Sequence, residues 1–430
     1  MKIYQYPDFS LSQKILKRPV YEAKNLEATV GDVLQRVRTK GDRALKDFTE
    51  KFDRVSITNF KVSEEEIIAA KKQVAPGLKK AIQTAKANIA VFHQSQKVDA
   101  PRIETMSGIE CWQKSVGIEK VGFYIPGGTA PLFSSVLMMA IPAEIAGCKE
   151  MVLCTPPQKD GSIHPVILYT ADLCGVTQIF KVGGSQAIAA MAYGTETIPA
   201  VYKIYGPGNQ YVTAAKQLVS QQGTAIDMPA GPSELMVVAD HTAKANFVAA
   251  DLLSQAEHGV DSQVVLVAFD VDFAKKVLSE IDLQLAKLPR QDIAIKALEN
   301  SPVLILKNRD AALDIVNQYA PEHLILAVEE VEIFAEKVTN AGSVFMGNYT
   351  PESVGDYASG TNHTLPTNGY ARNYSGLNLD AFVKKITFQK LSAKGLQNIG
   401  ETVELMAAAE ALQAHKEAVS IRLREILNND

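Results

Sequence analysis

The chain has no apolar run long enough to cross a bilayer. Its most apolar stretch, residues 136–148, is interrupted by Pro142 and Glu144, and a spanning helix needs about 20 apolar residues. The opening residues, MKIYQYPDFSLSQK, hold no apolar core of signal-peptide length. Cysteine is scarce. Cys111, Cys148, Cys154 and Cys174 lack the paired spacing of a metal knuckle and read as buried free thiols in a reducing compartment. Neither charge is in excess: 44 basic residues stand against 48 acidic ones, a net of −4, with no long block of one sign. That argues against nucleic acid or a membrane surface as partner and for small-molecule chemistry. The expectation is a cytoplasmic protein. Its 430 residues suit about two or three domains with cores of their own.

What is present is an alternation. Residues 26–96 carry apolar side chains at helical spacing and read as a helical lead-in without catalytic character. From Val121 the pattern becomes strand, glycine turn, helix: VGFYI before PGG, MVLC before a Pro-rich turn, QIFKV before GG, VYKIY before GPGN. A second set follows, with ELMVVAD, a helix over residues 244–258, QVVLVAF, VLILKN, HLILAV and SVFMG. Short buried strands alternating with helices make parallel sheets. The expected fold is therefore α/β, with two Rossmann-like parallel-sheet domains, a helical N-terminal lead-in and a helical C-terminal tail. We divide it as a lead-in (1–120) packing on the second α/β domain, a first α/β domain (121–232), a second (233–378) and a tail (379–430). The segment QQGTAIDMPAGP reads as the linker between the sheets, and residues 381–427 as helix.

The chemistry gathers in a few stretches. In LLSQAEHG, Gln255 and His258 are three apart and share a helix face, with Gly259 expected to end the helix. An amide oxygen and an imidazole are half of a zinc site, which wants about three protein ligands and an open position; a histidine capping the last carbonyls fits the same pattern. Glu322 and His323 open a strand and offer two bases of unequal basicity. Regular strand geometry would turn them to opposite faces. The Gly-rich loop SVGDYASGTNHTLP carries Asp356 and His363, and the tail carries Glu410 and His415 five apart. No straight helix puts those two on one face: either the helix breaks between them or they meet a site from different directions. None of the glycine turns completes G-x-G-x-x-G, and no acid ends MVLC to hold a ribose.

Taken in order, YIPGGTAPLFSSV, VGGSQAIAA, GPGNQYVTAAK, AIDMPAGPSE, DLLSQAEHG, PEHLI, AGSVF, ESVGDYASGTNH and AAAEALQAHK closely resemble the histidinol dehydrogenase family. The resemblance implies oxidation of L-histidinol to L-histidine through the aldehyde, the final step of histidine biosynthesis, with two NAD and one zinc per subunit. It makes Gln255, His258, Asp356 and His415 the zinc ligands, and Glu322 and His323 the catalytic pair. It makes Tyr124, Gln186 and Asn209 the NAD contacts. Ser233 and Glu410 would hold substrate together with Gln255, His258, His323, Asp356 and His415. It further implies a homodimer in which the tail of one subunit completes the site of the other. Two other classes stay compatible with the residues alone. One is a zinc hydrolase in which Glu322 activates water; the other is a non-catalytic small-molecule binding protein.

Overall fold

The computed structural model describes residues 1–19, 25–127, 131–229 and 231–429. Gly128 of the PGG turn and Ala230 of the QQGTAIDMPAGP segment lie outside the described residues. The chain forms two compact units, Met1–Gln96 with Ile118–Phe382, and Lys97–Gly117 with Val383–Asp430.

The larger unit holds both parallel sheets. The five-stranded one runs Gln178–Lys181, Glu150–Thr155, Lys120–Tyr124, Lys203–Tyr205, Ala225–Ile226. Numbered by sequence this is 3-2-1-4-5, the order of a mononucleotide-binding half, whose switch point lies beside its first strand. Its strands are continuous apolar runs instead of alternating ones, because helices cover both faces. The turn GPGN comes close to the first strand: Gly206 (φ +129°) lies against the Tyr124 carbonyl, where a Cβ would collide. That turn is also tied by the Gly206 N–H donating to Asp227 Oδ2 at 2.9 Å and by Lys216 Nζ donating to the Gly206 carbonyl at 2.9 Å.

The six-stranded sheet runs Lys2–Gln5, Pro302–Ile305, Gln263–Ala268, Glu234–Ala239, His323–Ala327, Ser343–Met346, all parallel. Its five inner and far-edge strands repeat the 3-2-1-4-5 order, and the N-terminal strand adds an edge. The lead-in divides between the sheets, whereas the sequence reading put all of it on the second domain. Lys2–Gln5 joins the six-stranded sheet. Leu26–Phe48 buries Val30, Val33, Leu34 and Val37 against Ile188 and Met191 on one face of the five-stranded sheet, and Pro76–Gln94 buries Ile82 and Ile89 with Val121 and Phe123 on the other.

The smaller unit is partly β. Ile103–Met106, Ile109–Gly117 and Val383–Leu391 make an antiparallel sheet, followed by Ala393–Ala409 and Gln413–Asn429 as helices. This corrects the reading of residues 381–427 as helix, since Val383–Leu391 is a strand, and of 97–117 as part of a helical lead-in. VKKITFQKL pairs residue for residue with Ile109–Gly117, and Phe388 stacks on Trp112 at 5.4 Å between centroids. Tertiary pairing decides such segments more than intrinsic preference does. Among the described residues no helix is long and apolar enough to cross a membrane.

Candidate active site

The site begins at the amino end of the strand His323–Ala327. The preceding helix Arg309–Tyr319 ends on Ala320 in the left-handed region (φ 52°), which turns the chain so that Pro321 and Glu322 precede the strand and His323 enters it opposite Leu235. Glu322 therefore lies outside the regular pleat, and the two side chains converge, with His323 Nδ1 3.6 Å from Glu322 Oε2. One neighbour holds both: the Glu234 N–H donates to Glu322 Oε2 at 2.9 Å, and the Glu234 carbonyl lies 3.3 Å from His323 Nδ1. Gly342 passes so near the Glu322 carbonyl that a Cβ would strike it. Ser233, one residue before the strand Glu234–Ala239, stands at the same sheet edge.

The helix Ala245–Ala256 returns to that edge with its carboxyl end. Gln255, in its last turn, is fully buried, and neither its amide oxygen nor its nitrogen has a hydrogen-bond partner. The helix stops at Ala256, so His258 lies in the turn beyond it, its N–H donating to the Gln255 carbonyl at 3.2 Å. Gly259 is not in the left-handed conformation and is not the cap. Shared-face geometry thus gives way to a turn.

The long loop contributes a short helix, Glu352–Tyr357, which sets Glu352 and Asp356 one turn apart. Ligand atoms of His258, Glu352 and Asp356 lie within 4.8 Å of one another. His323 sits between the two carboxylates, Nδ1 3.7 Å from Glu352 Oε1 and Nε2 3.6 Å from Asp356 Oδ1. Glu352 was missed in the sequence, although E-x-x-x-D in ESVGD is a helical one-face spacing. His363 is already engaged: Nδ1 meets the Asp356 carbonyl at 2.7 Å and Nε2 meets Ser135 Oγ at 3.2 Å. Through Ser135, on the helix Phe133–Ala146, and through Asn362, whose amide donates to the Met138 carbonyl at 2.6 Å, the loop is pinned to the helix that follows the first strand of the five-stranded sheet.

Burial and crowding set the charges. Burial pushes the Glu322 carboxyl up to about 7 and raises that of Glu352 well above the ordinary range. It works against a charged His323, yet the Glu352, Glu322 and Asp356 carboxylates outweigh it and raise the imidazole pKa. Burial also opposes an ionised Asp356, but the imidazoles of His323, His363 and His258 hold that carboxyl low. His258 and His363 are both lowered, chiefly by burial. These groups can hold a cation and move protons beside it.

A cleft of about 860 Å³ opens at the carboxyl end of the five-stranded sheet, lined by Tyr124, Gln186 and Asn209 among others. The Tyr124 hydroxyl accepts the Gly184 N–H at 3.0 Å. Asn209 caps the helix Gln210–Ser220, accepting from Tyr211 at 3.0 Å and Val212 at 3.2 Å. Gln186 is buried with its amide oxygen unpartnered. Two helix N-termini facing one cleft suit an anion such as a pyrophosphate.

Glu410 and His415 belong to the smaller unit and are exposed there. The helix Ala393–Ala409 ends at Glu410, Ala411 takes φ 59°, and Gln413–Asn429 starts anew. The break is one of the two arrangements that their spacing allows.

Comparison with known proteins gives a consistent picture. The family model described as histidinol dehydrogenase matches residues 16–423. A histidinol dehydrogenase of Bacteroides thetaiotaomicron is 58% identical over 426 residues, 99% of this chain and 100% of that protein. One from Escherichia coli is 50% identical over 417 residues, 96% and 95% of the two chains. The crystal structure of histidinol dehydrogenase from Elizabethkingia anophelis aligns with a TM-score of 0.97 at 54% identity, over 99% of this chain and 98% of that one.

Asp251, one turn before Gln255, is raised by burial from 3.8 to about 7. A raised acid costs stability only where it is ionised: the cost is absent below about pH 4 and grows as pH climbs towards 7. Asp251→Asn should accordingly stabilise the metal-free protein by about 1–3 kcal/mol at pH 8 and leave it unchanged at pH 4. Urea unfolding at the two pH values checks this, and an equal effect at both would contradict it.

Proposed function

The chain belongs to the histidinol dehydrogenase family, and from that premise we propose that this dehydrogenase carries out the zinc-dependent, four-electron oxidation of L-histidinol to L-histidine through the aldehyde, reducing two NAD, in the cytoplasm. The observation that carries the reading is a cluster of mixed burial: exposed His258, buried Glu352 and half-buried Asp356, whose ligand atoms lie within 4.8 Å of one another, with Gln255, three residues before His258, buried and unpartnered at both amide ends. Nitrogen and oxygen donors around orphaned buried groups fit zinc. Gln255, His258 and Asp356 would hold it with His415 of the partner subunit. Bound zinc would gather the substrate's imidazole and amino nitrogens, and NAD, held by Tyr124, Gln186 and Asn209, would accept each hydride.

The chain's own residues do the proton work. His323 removes the hydroxyl proton as the carbinol C–H leaves as hydride, and Glu352, 3.7 Å from its Nδ1, offsets the imidazolium formed. Glu322 then takes a proton from water, whose oxygen adds to the aldehyde carbon. His323 acts as base again when the hydrate loses the second hydride, so water supplies the second carboxylate oxygen. Ser233 and the partner's Glu410 would hold the substrate. The smaller unit leaves Leu405, Met406 and Leu427 exposed, which supports a homodimer in which that unit is covered.

Zinc-loaded protein given NAD and L-histidinol should form two NADH and one histidine per substrate. One NADH with aldehyde accumulating would overturn the four-electron reading, and no NADH would overturn it entirely. Glu322→Gln should slow oxidation of supplied aldehyde by about 10²–10⁴-fold while sparing the alcohol step, whereas His323→Asn should impair both. Equal losses in both half-reactions of Glu322→Gln would remove its role with water.

Shared sites make a second expectation. His258→Ala and His415→Ala homodimers should each be inactive, but refolding them together yields mixed dimers in which one site collects an intact body and an intact tail. Statistical pairing should return roughly a quarter of wild-type activity under twofold symmetry. No recovery, with mixed dimers demonstrated, would mean that each tail serves its own body.

A further inference from the structure

A doubly wound dinucleotide site ordinarily holds a ribose through an acid at the end of its second strand. Here that strand, Glu150–Thr155, runs into Pro156 and Pro157, and the position carries no acid. Yet Pro156 and Pro157 line a cleft that does contain a carboxylate, that of Asp53. It arrives from the helical lead-in of the same unit. The lead-in helix Leu26–Phe48 runs on into a π-helical turn, Thr49–Asp53, and Arg54 then leaves in the left-handed conformation (φ 58°). Turns of the π type are rare and recur at functional sites.

The position is electrostatically poor for an acid. Asp53 ends the helical run that starts again after the kink at Gly41 (φ 51°), where the helix dipole is negative. Its Oδ2 is buried without a hydrogen-bond partner, and none of the ion pairs among the described residues includes it. Burial pushes its pKa up to about 6, and its charge reaches the Tyr124 hydroxyl in the same cleft. Among the described residues nothing compensates this carboxylate. A ribose diol would, by donating two hydrogen bonds to it, and a 2′-phosphate in that place would set two anions together.

We infer that Asp53 supplies the acid missing from the second strand, accepting the adenosine ribose hydroxyls of the dinucleotide and excluding a 2′-phosphate, so that it selects NAD over NADP. The inference rests on the reading of this cleft as the NAD site. It gives the lead-in a share in cofactor recognition, which its amphipathic pattern does not reveal.

The test is direct binding of NADH and NADPH to the full-length, zinc-loaded protein, followed by nicotinamide fluorescence, for the wild type, Asp53→Asn, Asp53→Ser and Gln186→Ala. Losing hydrogen bonds to a charged group should weaken NADH binding by about 10- to 100-fold in both Asp53 variants. NADPH should bind them as well as or better than it binds the wild type, so the preference collapses. In turnover, KM for NAD should rise while kcat at saturation is kept, and removing the ligand's 2′-hydroxyl should cost the Asp53→Asn variant little beyond what that substitution already costs. Wild-type NADH affinity in the Asp53 variants, or equal losses for both nucleotides, would overturn the inference and leave the cofactor reading standing. No NADH binding by the wild type, or binding indifferent to Gln186→Ala, would remove both.

Discussion

Three carboxylates, those of Glu322, Glu352 and Asp356, crowd one buried imidazole, His323, and the rest of the larger unit can be read from what this crowding demands. Anions in a low-dielectric interior repel strongly and are each costly to bury unpaired. Glu234, next to them, is already matched: Arg18 reaches it from the N-terminal arm, with Nη2 2.8 Å from Oε1. That leaves the Glu234 main chain free to grip Glu322 and His323. Once it has taken up a proton, His323 balances one of the three remaining charges. A divalent cation beside Gln255 and His258 would balance the others and take up an amide that otherwise has no partner.

The two sheets present opposite dipole ends at the cleft and at the acidic cluster. In the five-stranded sheet the cleft lies at the carboxyl edge, where the helices opening at Gly184 and Gln210 present N-termini and favour phosphate. In the six-stranded sheet the acidic cluster lies at the amino edge, where the helix Ala245–Ala256 presents its carboxyl end and favours a cation. The same strand order therefore serves a proposed anionic cofactor in one copy and a proposed metal in the other. The contact of His363 with Ser135 ties the loop bearing Asp356 to the helix that begins beside the cleft.

Much of this was legible in the sequence, for a reason. Continuous apolar strands between glycine turns have few folds open to them, and the five-residue separation of Glu410 and His415 already demanded a break or two approaches. Local signals failed where a partner lay far away. Val383–Leu391 reads as a charged helical segment until Ile109–Gly117 pairs with it. His258 passes the end of its helix because the chain turns after Ala256. Glu352 was legible in principle through its one-turn spacing to Asp356, but it was hidden inside a loop read for its glycines. Asp53 was not legible, since nothing in an amphipathic helix tells which end will face a cleft built from residues far along the chain.

The central claim is that the cluster of Gln255, His258, Glu352 and Asp356 is completed by a cation. It is tested most directly by unfolding the protein against free zinc at fixed protein concentration. Binding to the folded state alone should raise the unfolding free energy of the wild type by about 2.7 kcal/mol at a hundred times the zinc dissociation constant, and Asp356→Ala and His258→Ala should be insensitive over the same range. A wild type whose unfolding ignores zinc, or variants that respond as strongly as it does, would contradict the account.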